Sequence, residues 1–386
     1  MRIAYFAYAD LSKPGAPPIH VDAIAGGLAS KGHEVSLIIP DRCGPFEIDS
    51  VKTVRLSHKT PTSIGWAGSA GRWLSENANQ FDIVYLRDFY SSNAIINNAK
   101  RNHLPSVLEI NGNVGKERSS GPIPLRYRIL AEIELNFYLK KRLKKADKII
   151  VVAPGLIDEL APKAGGREKF ELHPNGVDTA LFAPSDDKKL LRRELGLSEN
   201  GPLLGAVGSI LPYHVECPLI EAIEELSRDF AGLSFIFVGD GPGREDVEKK
   251  IDNSSIKNRI KMIGPVDIEQ SAKYIASLDL ALAWSTSETA ASTWPVRLSA
   301  YSACGIPIVG PDWGTYTFFQ DAGVLQAAEG GTAIAIAQVA SRILRNPEIA
   351  EEMSRKGRKL AIEQLSWNSI VDKTELLLSK LSKTRN

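Results

Sequence analysis

The sequence predicts an α/β protein built on two doubly wound parallel sheets. Three observations predict this fold class. The chain has 386 residues, which is more than one ordinary core holds and suits two domains. Short apolar runs, typical of buried parallel strands, alternate with longer helical patterns. This alternation begins again after residue 200, so the chain contains two series of βαβ units.

The first half of the chain contains five strand-length apolar runs. Helical patterns lie between them, including Ile19–Lys31 and a long one at about 125–145. Because parallel strands need a crossover connection, these runs predict neighbouring parallel strands. The predicted strands are Ile3–Tyr8, Glu34–Ile39, Ile83–Arg87, Ser106–Ile110 and Lys148–Val152.

The second half repeats this pattern. A helix is predicted to open at Pro295, since proline suits a first helical turn, and an amphipathic helix closes the sequence. The polar stretch at 184–189 is the predicted joint. The predicted domains are therefore 1–183 and 184–367, and the amphipathic helix at about 368–386 follows them. The predicted strands are Leu203–Gly208, Ser234–Gly239, Ile260–Gly264, Leu280–Ala283 and Ile306–Gly310.

Composition excludes several classes of protein. The chain is 43% hydrophobic and 24% charged, and its formal net charge of +1 gives no overall attraction to nucleic acid. Cys43, Cys217 and Cys304 show no paired spacing for disulfides or zinc, which fits a reducing compartment. No apolar run approaches the ~20 residues that cross a bilayer. We expect a cytoplasmic protein whose apolar N-terminus is a buried strand.

The stretch from Trp294 to Val309 has the most specific pattern. Its helix starts at a proline and ends at a glycine before an Ile-Pro-Ile-Val strand. Free N–H groups at a helix N-terminus bind anions such as a diphosphate. The stretch resembles the donor-site helix of retaining glycosyltransferases of family 4, whose GT-B fold has two Rossmann-like domains facing a cleft. The matching positions are Pro295, Arg297, Tyr301, Ala303, Gly305 and Pro307.

The resemblance implies a retaining hexosyltransferase whose C-terminal helix, at about 368–386, belongs to the first domain. It would move a sugar from a nucleotide-sugar to a glycan, lipid-linked or small-molecule acceptor, without a metal or another cofactor. Glycine-rich strand ends, a helix terminus and cationic side chains would hold the donor. The implied donor-binding residues are Gly208, Ser209, His214, Gly239, Gly241, Val266, Arg297 and Leu298.

Three positions depart from the family pattern. Ser209 and His214 stand where an arginine and a lysine neutralise the diphosphate, and Ala300 replaces a glutamate that binds the ribose. A charged hydrogen bond that loses one partner costs about 2–3 kcal/mol. Three hypotheses therefore stay open: an active transferase with the family's donor chemistry, an active transferase with an altered donor, and a GT-B-like binding or scaffolding subunit without activity.

Polar residues of the first half resemble the acceptor side of the family. They follow predicted strands or open the first helix, where ligands bind in parallel sheets. The implied acceptor-side residues are Gly15, Arg87, Glu109 and Glu117. The implied catalytic residues are Asn111 and His20, together with Glu288 of the second half, which precedes the donor-site helix. Three alternatives remain: Arg87 and Glu109 pair only with each other, His20 is a polar residue of a first helical turn, and Glu288 is merely solvated.

Two further patterns have a structural or a surface explanation. The turn around Asn175 and Gly176 resembles a conserved turn of the family and is predicted to join the domains without taking part in chemistry. A basic helical segment predicts either docking onto anionic lipid or a solvated helix face. Its basic residues are Arg126, Arg128, Lys140, Lys141, Arg142, Lys144 and Lys145.

Overall fold

The computed structural model describes residues 1–12, 15–58, 62–112, 129, 132–212, 218–285 and 293–383. The chain folds into two compact α/β units. Unit 1 comprises Met1–Asn175, Ser292–Trp294 and Trp367–Asn386, and unit 2 comprises Gly176–Ala291 and Pro295–Ser366. The chain thus passes into unit 2 after residue 175, whereas the sequence places the boundary after residue 183.

Unit 1 is built on a seven-stranded sheet whose strand pairs are all parallel. The strands are β1 Arg2–Phe6, β2 Glu34–Pro40, β3 Lys52–Leu56, β4 Ile83–Arg87, β5 Ser106–Ile110, β6 Lys148–Val151 and β7 Phe170–Leu172. Their order is β3-β2-β1-β4-β5-β6-β7, so the order reverses between β1 and β4. The helices of its N-terminal segment are α1 Ala16–Ser30, α2 Ser63–Asn77, α3 Asn93–Arg101, α4 Leu139–Lys145 and α5 Pro154–Ala164.

Unit 2 has a six-stranded parallel sheet in the order β10-β9-β8-β11-β12-β13, with its reversal between β8 and β11. These strands are β8 Leu203–Val207, β9 Ser234–Val238, β10 Ile260–Gly264, β11 Leu280–Leu282, β12 Ile308–Gly310 and β13 Leu325–Ala327. The helices are α6 Lys188–Glu194, α7 Leu219–Asp229, α8 Arg244–Asp252, α9 Ile268–Ala276, α10 Val296–Ala303, α11 Tyr316–Asp321, α12 Ala333–Arg345 and α13 Pro347–Leu360.

A last helix and several short turns complete the described chain. The last helix, α14 Trp367–Lys383, belongs to unit 1. None of the helices in the described ranges is long and apolar enough to cross a bilayer. The short helical turns are Ala78–Gln80, Glu134–Tyr138, Lys257–Arg259, Glu329–Gly331 and Ala361–Leu365.

Three strands that the sequence analysis missed, β3, β7 and β13, lie at the edges of the two sheets. Their residues are mostly exposed or half-buried, whereas β4 and β5 are buried almost throughout. An edge strand is covered on fewer sides, so its sequence needs no continuous apolar run. The apolar signal that predicts central strands is therefore weak at the edges.

Helix α14 packs closely against α1. A Cβ placed on Gly27 would lie 2.6 Å from a methyl carbon of Val371, so the absence of a side chain lets the helices approach. Charged groups border this contact, because Lys31 pairs with Asp372 at 2.6 Å and with Glu375 at 3.0 Å. The C-terminal segment thus forms part of the core of unit 1.

The basic segment contains one residue that the sequence analysis placed wrongly. Arg142 is buried, and it pairs with Asp88 at 3.0 Å and with Glu134 at 2.5 Å. Buried charges need such partners, so Arg142 fixes α4 to the end of β4 and is not part of a basic surface. Arg126 and Arg128 lie outside the described residues.

Candidate functional site

The loops that follow β8, β9 and β10 form a continuous hydrogen-bonded layer at the carboxyl end of the unit 2 strands. Gly208 donates its N–H to Val238 at 2.8 Å, and Gly239 donates to Gly264 at 2.8 Å. Ile210, in the first loop, donates to Asp240 in the second at 3.0 Å. Doubly wound proteins bind their ligands at this end of a parallel sheet.

Two glycines are required by the contact between these loops. A Cβ on Gly239 would lie 2.1 Å from the carbonyl oxygen of Gly208, and one on Gly241 would lie 2.3 Å from that of Ile210. Their φ angles are +130° and +155°, which L side chains rarely adopt. Side chains are therefore excluded at Gly239 and Gly241, and only backbone lies there at the carboxyl end of the strands.

Helix α10 brings a cation to the same loops. The side-chain oxygen of Tyr301 accepts a hydrogen bond from the Val207 N–H at 2.7 Å, which fixes the helix to the end of β8. Pro295 is the N-cap, in an extended conformation, and the first turn contains no acidic residue. The stem of Arg297 lies beside Gly208, 3.9 Å from a Cβ built there. A helix N-terminus, a guanidinium and bare backbone together suit an anionic ligand.

The predicted donor-binding residues occupy different environments. Gly208 and Ser209 are exposed, and Val266 is half-buried. Leu298 is fully buried, so its side chain belongs to the core of unit 2. Ala300 is 4% exposed, so the methyl group at this departing position is also largely covered. His214, Glu288 and Glu117 lie outside the described residues.

In unit 1, four polar residues form a buried network beneath the start of α1. The Nε2 atom of His20 lies 2.6 Å from Oε1 of Glu109, and its Nδ1 atom lies 3.1 Å from Oδ1 of Asn175. The Asn111 amide donates a hydrogen bond to the same Oε1 of Glu109. Trp367 of α14 covers the imidazole edge-on, with ring centres 5.4 Å apart. The network thus links α1, β5 and two more distant segments of the chain.

Glu109 is the charged centre of this network. Burial by itself raises its pKa, but His20, the charge of Arg87 and the Asn111 amide outweigh burial and hold the pKa of Glu109 at about 2. Its carboxylate is therefore ionised throughout the neutral range, and it fixes the imidazole of His20 in one orientation.

The structure changes the roles that the sequence suggested for two of these residues. Glu109 has no exposed surface and His20 is 5% exposed. Both ring nitrogens of His20 lie within hydrogen-bonding distance of an acceptor, so these contacts fix the position of α1. Gly15 is exposed, while Arg87 and Asn111 are half-buried at strand ends. The alternative in which Arg87 and Glu109 pair with each other holds in part, since the charge of Arg87 lowers the pKa of Glu109 although the two side chains form no hydrogen bond or ion pair.

The turn that follows β7 contributes more to this network than the sequence indicates. Asn175 holds His20, and Nδ1 of His173 lies 3.0 Å from Oγ1 of Thr374 in α14. Burial lowers the pKa of His173 to about 4, so its imidazole is neutral at pH 7. No local sequence signal pairs these residues, because their partners lie about 150 or more positions away in the chain.

A cavity of about 1170 Å³ lies elsewhere in unit 2. Its lining includes Pro202, Asp279 and Pro307, which precede β8, β11 and β12. It therefore lies at the amino ends of these strands, opposite the glycine loops. Two of its cations hold the fold together: Arg192 pairs with Asp279 at 2.7 Å, and Arg358 donates to three backbone carbonyls. We place the functional site at the glycine loops. Among the residues that the structure describes, no three His, Cys, Asp or Glu side chains form a metal-binding group.

The chain resembles known proteins in both units. The model named Glycosyltransferase Family 4 matches residues 18–181, and the model named Glycosyl transferases group 1 matches residues 187–360. N-acetyl-alpha-D-glucosaminyl L-malate synthase of Bacillus anthracis is 22% identical over 244 residues, 63% of this chain and 62% of that protein. A GDP-mannose-dependent alpha-(1-6)-phosphatidylinositol monomannoside mannosyltransferase of Mycolicibacterium smegmatis is 26% identical over 230 residues, 58% of this chain and 60% of that protein.

The matched stretches span about three fifths of the length of these two relatives. A solved structure, Anabaena HepE in complex with UDP, is similar over 99% of this chain and 100% of its own length, with a TM-score of 0.74 and 17% identity. This likeness confirms the predicted fold class. Because two glycosyltransferase family models together match nearly the whole chain, and each falls largely within one of its units, the chain belongs to the GT-B glycosyltransferases of family 4.

Proposed function

We propose that this chain is a retaining glycosyltransferase that takes a hexosyl group from a nucleotide-sugar and uses no metal. The observation that carries the proposal is the position of α10 and Arg297 beside the bare glycine loop after β8. A leaving diphosphate accumulates negative charge, and preorganised N–H groups with a cation stabilise that charge. UDP is the nucleotide named in the HepE structure, which makes it the first nucleotide to test.

Replacement of Arg297 by alanine should weaken UDP binding at least tenfold. A charge-assisted hydrogen bond contributes about 1.5–3 kcal/mol, which corresponds to about a tenfold change or more. Isothermal titration of the full chain with UDP, GDP and ADP measures the effect, both with EDTA and with Mg²⁺.

Arg259→Ala is the matched control, because this exposed arginine precedes β10 and therefore lies at the amino end of the strands, opposite the glycine loops. It should change the affinity less than twofold. Equal affinities of Arg297→Ala and the parent chain would contradict the donor site. A parent chain that binds no nucleotide would instead support an inactive scaffolding subunit, and a requirement for Mg²⁺ would contradict metal-independent binding.

The acceptor is proposed to be a glycan, a lipid-linked sugar or a small molecule. The names of the two relatives described above contain L-malate and phosphatidylinositol monomannoside. A small acceptor and a lipid-linked acceptor are therefore both represented among the relatives of this chain. Retention is tested on any acceptor that supports transfer, since proton NMR of the early product gives the anomeric configuration. An inverted anomer would overturn the retaining mechanism and leave the donor site intact.

We also propose peripheral contact of unit 1 with anionic membranes. Apolar side chains at the start of the basic segment are exposed: Ile133 by 46%, Phe137 by 52% and Tyr138 by 43%. Four lysines follow within α4, and Nζ of one of them, Lys141, lies 3.9 Å from the ring centre of Phe137. Exposed aromatic and basic groups side by side suit the headgroup region of an anionic bilayer.

Substitution of Phe137 by serine should reduce cosedimentation with phosphatidylglycerol-containing vesicles several-fold. Leu190→Ser is the control, because Leu190 is an equally exposed apolar residue of unit 2. Binding should fall as salt is added, since lysine–headgroup attraction is screened. Equal binding to pure phosphatidylcholine vesicles, or no effect of Phe137→Ser, would contradict this surface.

A further inference from the structure

Arg87 lies at the point where the strand order of unit 1 reverses. It is the last residue of β4, and β4 lies next to β1 in the sheet. The connections from these two strands run to opposite sides, so their carboxyl ends flank a crevice in which doubly wound sheets bind ligands. A long cationic side chain at this position is placed to meet a ligand of unit 1.

Arg87 carries a buried donor that the described part of the chain leaves without a hydrogen bond. Its Nε atom is buried and makes no hydrogen bond, and the described residues offer the guanidinium neither a hydrogen bond nor an ion pair. A buried donor without a partner costs about 1–3 kcal/mol, more when it is charged. Such groups are rare in folded proteins, and a bound ligand is one of their explanations.

The two nearest acids in strand register and sequence form no hydrogen bond or ion pair with Arg87. Glu109 lies opposite Arg87 in the pairing of β4 with β5, but His20 and Asn111 contact its Oε1 atom, and its buried Oε2 atom makes no hydrogen bond with the described residues. Asp88, the next residue in the chain, accepts hydrogen bonds from Arg142 and from the hydroxyl of Ser92. Arg87 lowers the pKa of Glu109 through its charge, yet no N–H of the guanidinium binds that carboxylate.

The start of α1, at the same edge of the sheet, is poorly equipped to bind an anion through its backbone. Its first turn contains Pro17 and Pro18, which have no N–H group. It also lacks a side-chain cap. In unit 2 a helix N-terminus supplies backbone donors, whereas in unit 1 a side chain must supply the positive group.

We infer that Arg87 recognises an anionic group of the acceptor, a phosphate or a carboxylate, through the N–H groups of its guanidinium. The planar fork of a guanidinium matches two oxygens of either group. The inference rests on the proposed function, because it assigns the acceptor to unit 1. It excludes neutral sugars as the sole acceptor and selects substrates with a charged substituent close to the accepting hydroxyl.

The Nε–H of Arg87 can be observed directly in the full chain. With ¹⁵N-arginine labelling, its resonance is identified by its disappearance in Arg87→Lys. Titration with inorganic phosphate and, separately, with malonate should shift this resonance in a saturable manner. The ion that saturates at the lower concentration identifies the group, because phosphate stands for a phosphorylated acceptor and malonate for a carboxylic one.

Two variants and one control complete the test. Arg87→Gln should weaken binding of the preferred anion at least tenfold, and Arg87→Lys should weaken it less, because lysine keeps the charge and loses the fork. Arg101→Gln, an exposed arginine at the end of α3, removes the same charge elsewhere in unit 1 and should change binding less than twofold. Far-ultraviolet circular dichroism verifies that each variant is folded.

An Nε–H resonance that does not shift with either anion would overturn the inference. Equal anion binding by Arg87→Gln and the parent chain would also overturn it. Neither result bears on the proposed donor site, which is tested separately by UDP binding to the parent chain and to Arg297→Ala. Conversely, a chain that fails to bind any nucleotide but whose Arg87 resonance saturates would refute the proposed transferase and leave an anion-binding site. The two failures are therefore distinguishable.

Discussion

Gly239→Ala is expected to destabilise unit 2 by about 3–5 kcal/mol and to abolish UDP binding. The added Cβ would lie 2.1 Å from the Gly208 carbonyl oxygen, which is backbone and cannot rotate away. The residue would also keep a φ of +130°, a conformation that costs about 1–3 kcal/mol for alanine. Forced repacking adds a similar amount. Relief requires the loops after β8 and β9 to separate, and those loops form the proposed donor site.

Urea denaturation and UDP titration measure the two effects. Gly196→Ala is the matched control in the same unit, because Gly196 has a φ of +64° and nothing lies within 4 Å of its Cβ position. It should cost only about 1–2 kcal/mol, the usual penalty of the left-handed region, and leave UDP affinity unchanged. A Gly239→Ala chain that retains full stability and affinity would show that the loops are not in contact as described.

Glu109→Gln is expected to lower the free energy of unfolding at pH 7 by about 3 kcal/mol. The pKa of Glu109 falls from its ordinary value of 4.5 to about 2 in the folded chain. A carboxyl group with a lowered folded pKa stabilises the fold at pH values above its unfolded pKa, and each pKa unit corresponds to about 1.4 kcal/mol. Glutamine keeps the shape and loses the charge that holds His20.

The sign of the pH dependence gives a second test. The stabilisation is complete above pH 4.5 and is lost as the pH falls toward 2, so the difference between the two chains should shrink over this range. Glu171→Gln is the control, because its half-exposed ion pair with Lys148 at 3.2 Å contributes less than about 1 kcal/mol. Equal stabilities of Glu109→Gln and its parent at pH 7 would mean that the buried carboxylate is not ionised.

The local sequence predicts the central strands of both sheets well. β4 and β5 begin and end where the apolar runs do, and β8 and β9 match their apolar runs to within one residue, because a strand covered on both faces needs an apolar residue at nearly every position. The edge strands β3, β7 and β13 are not marked in this way. Their existence depends on a neighbouring strand with free hydrogen-bonding groups, which only the assembled sheet provides.

The loops after β8 and β9, which form the proposed donor site, show the same difference between what the local sequence predicts and what the tertiary structure decides. Gly208, Gly239 and Gly241 are recognisable in the sequence, because a glycine directly after an apolar strand marks a turn that needs its backbone freedom. The burial of Leu298 is not visible in this way. It depends on how α10 rotates about its axis, and the Tyr301 hydroxyl decides that rotation by binding Val207.

By itself, the sequence determined the two-sheet α/β architecture, the glycines of the donor loops and the membership of the chain in its family. These are local properties, because strand periodicity and turn chemistry act over a few residues. Only the tertiary structure decided that Glu109 holds His20, that Arg142 is buried and that the buried Nε atom of Arg87 makes no hydrogen bond with the described residues. Burial and pairing at these positions depend on segments that are far apart in the chain, and the charge of a side chain alone does not reveal its neighbours.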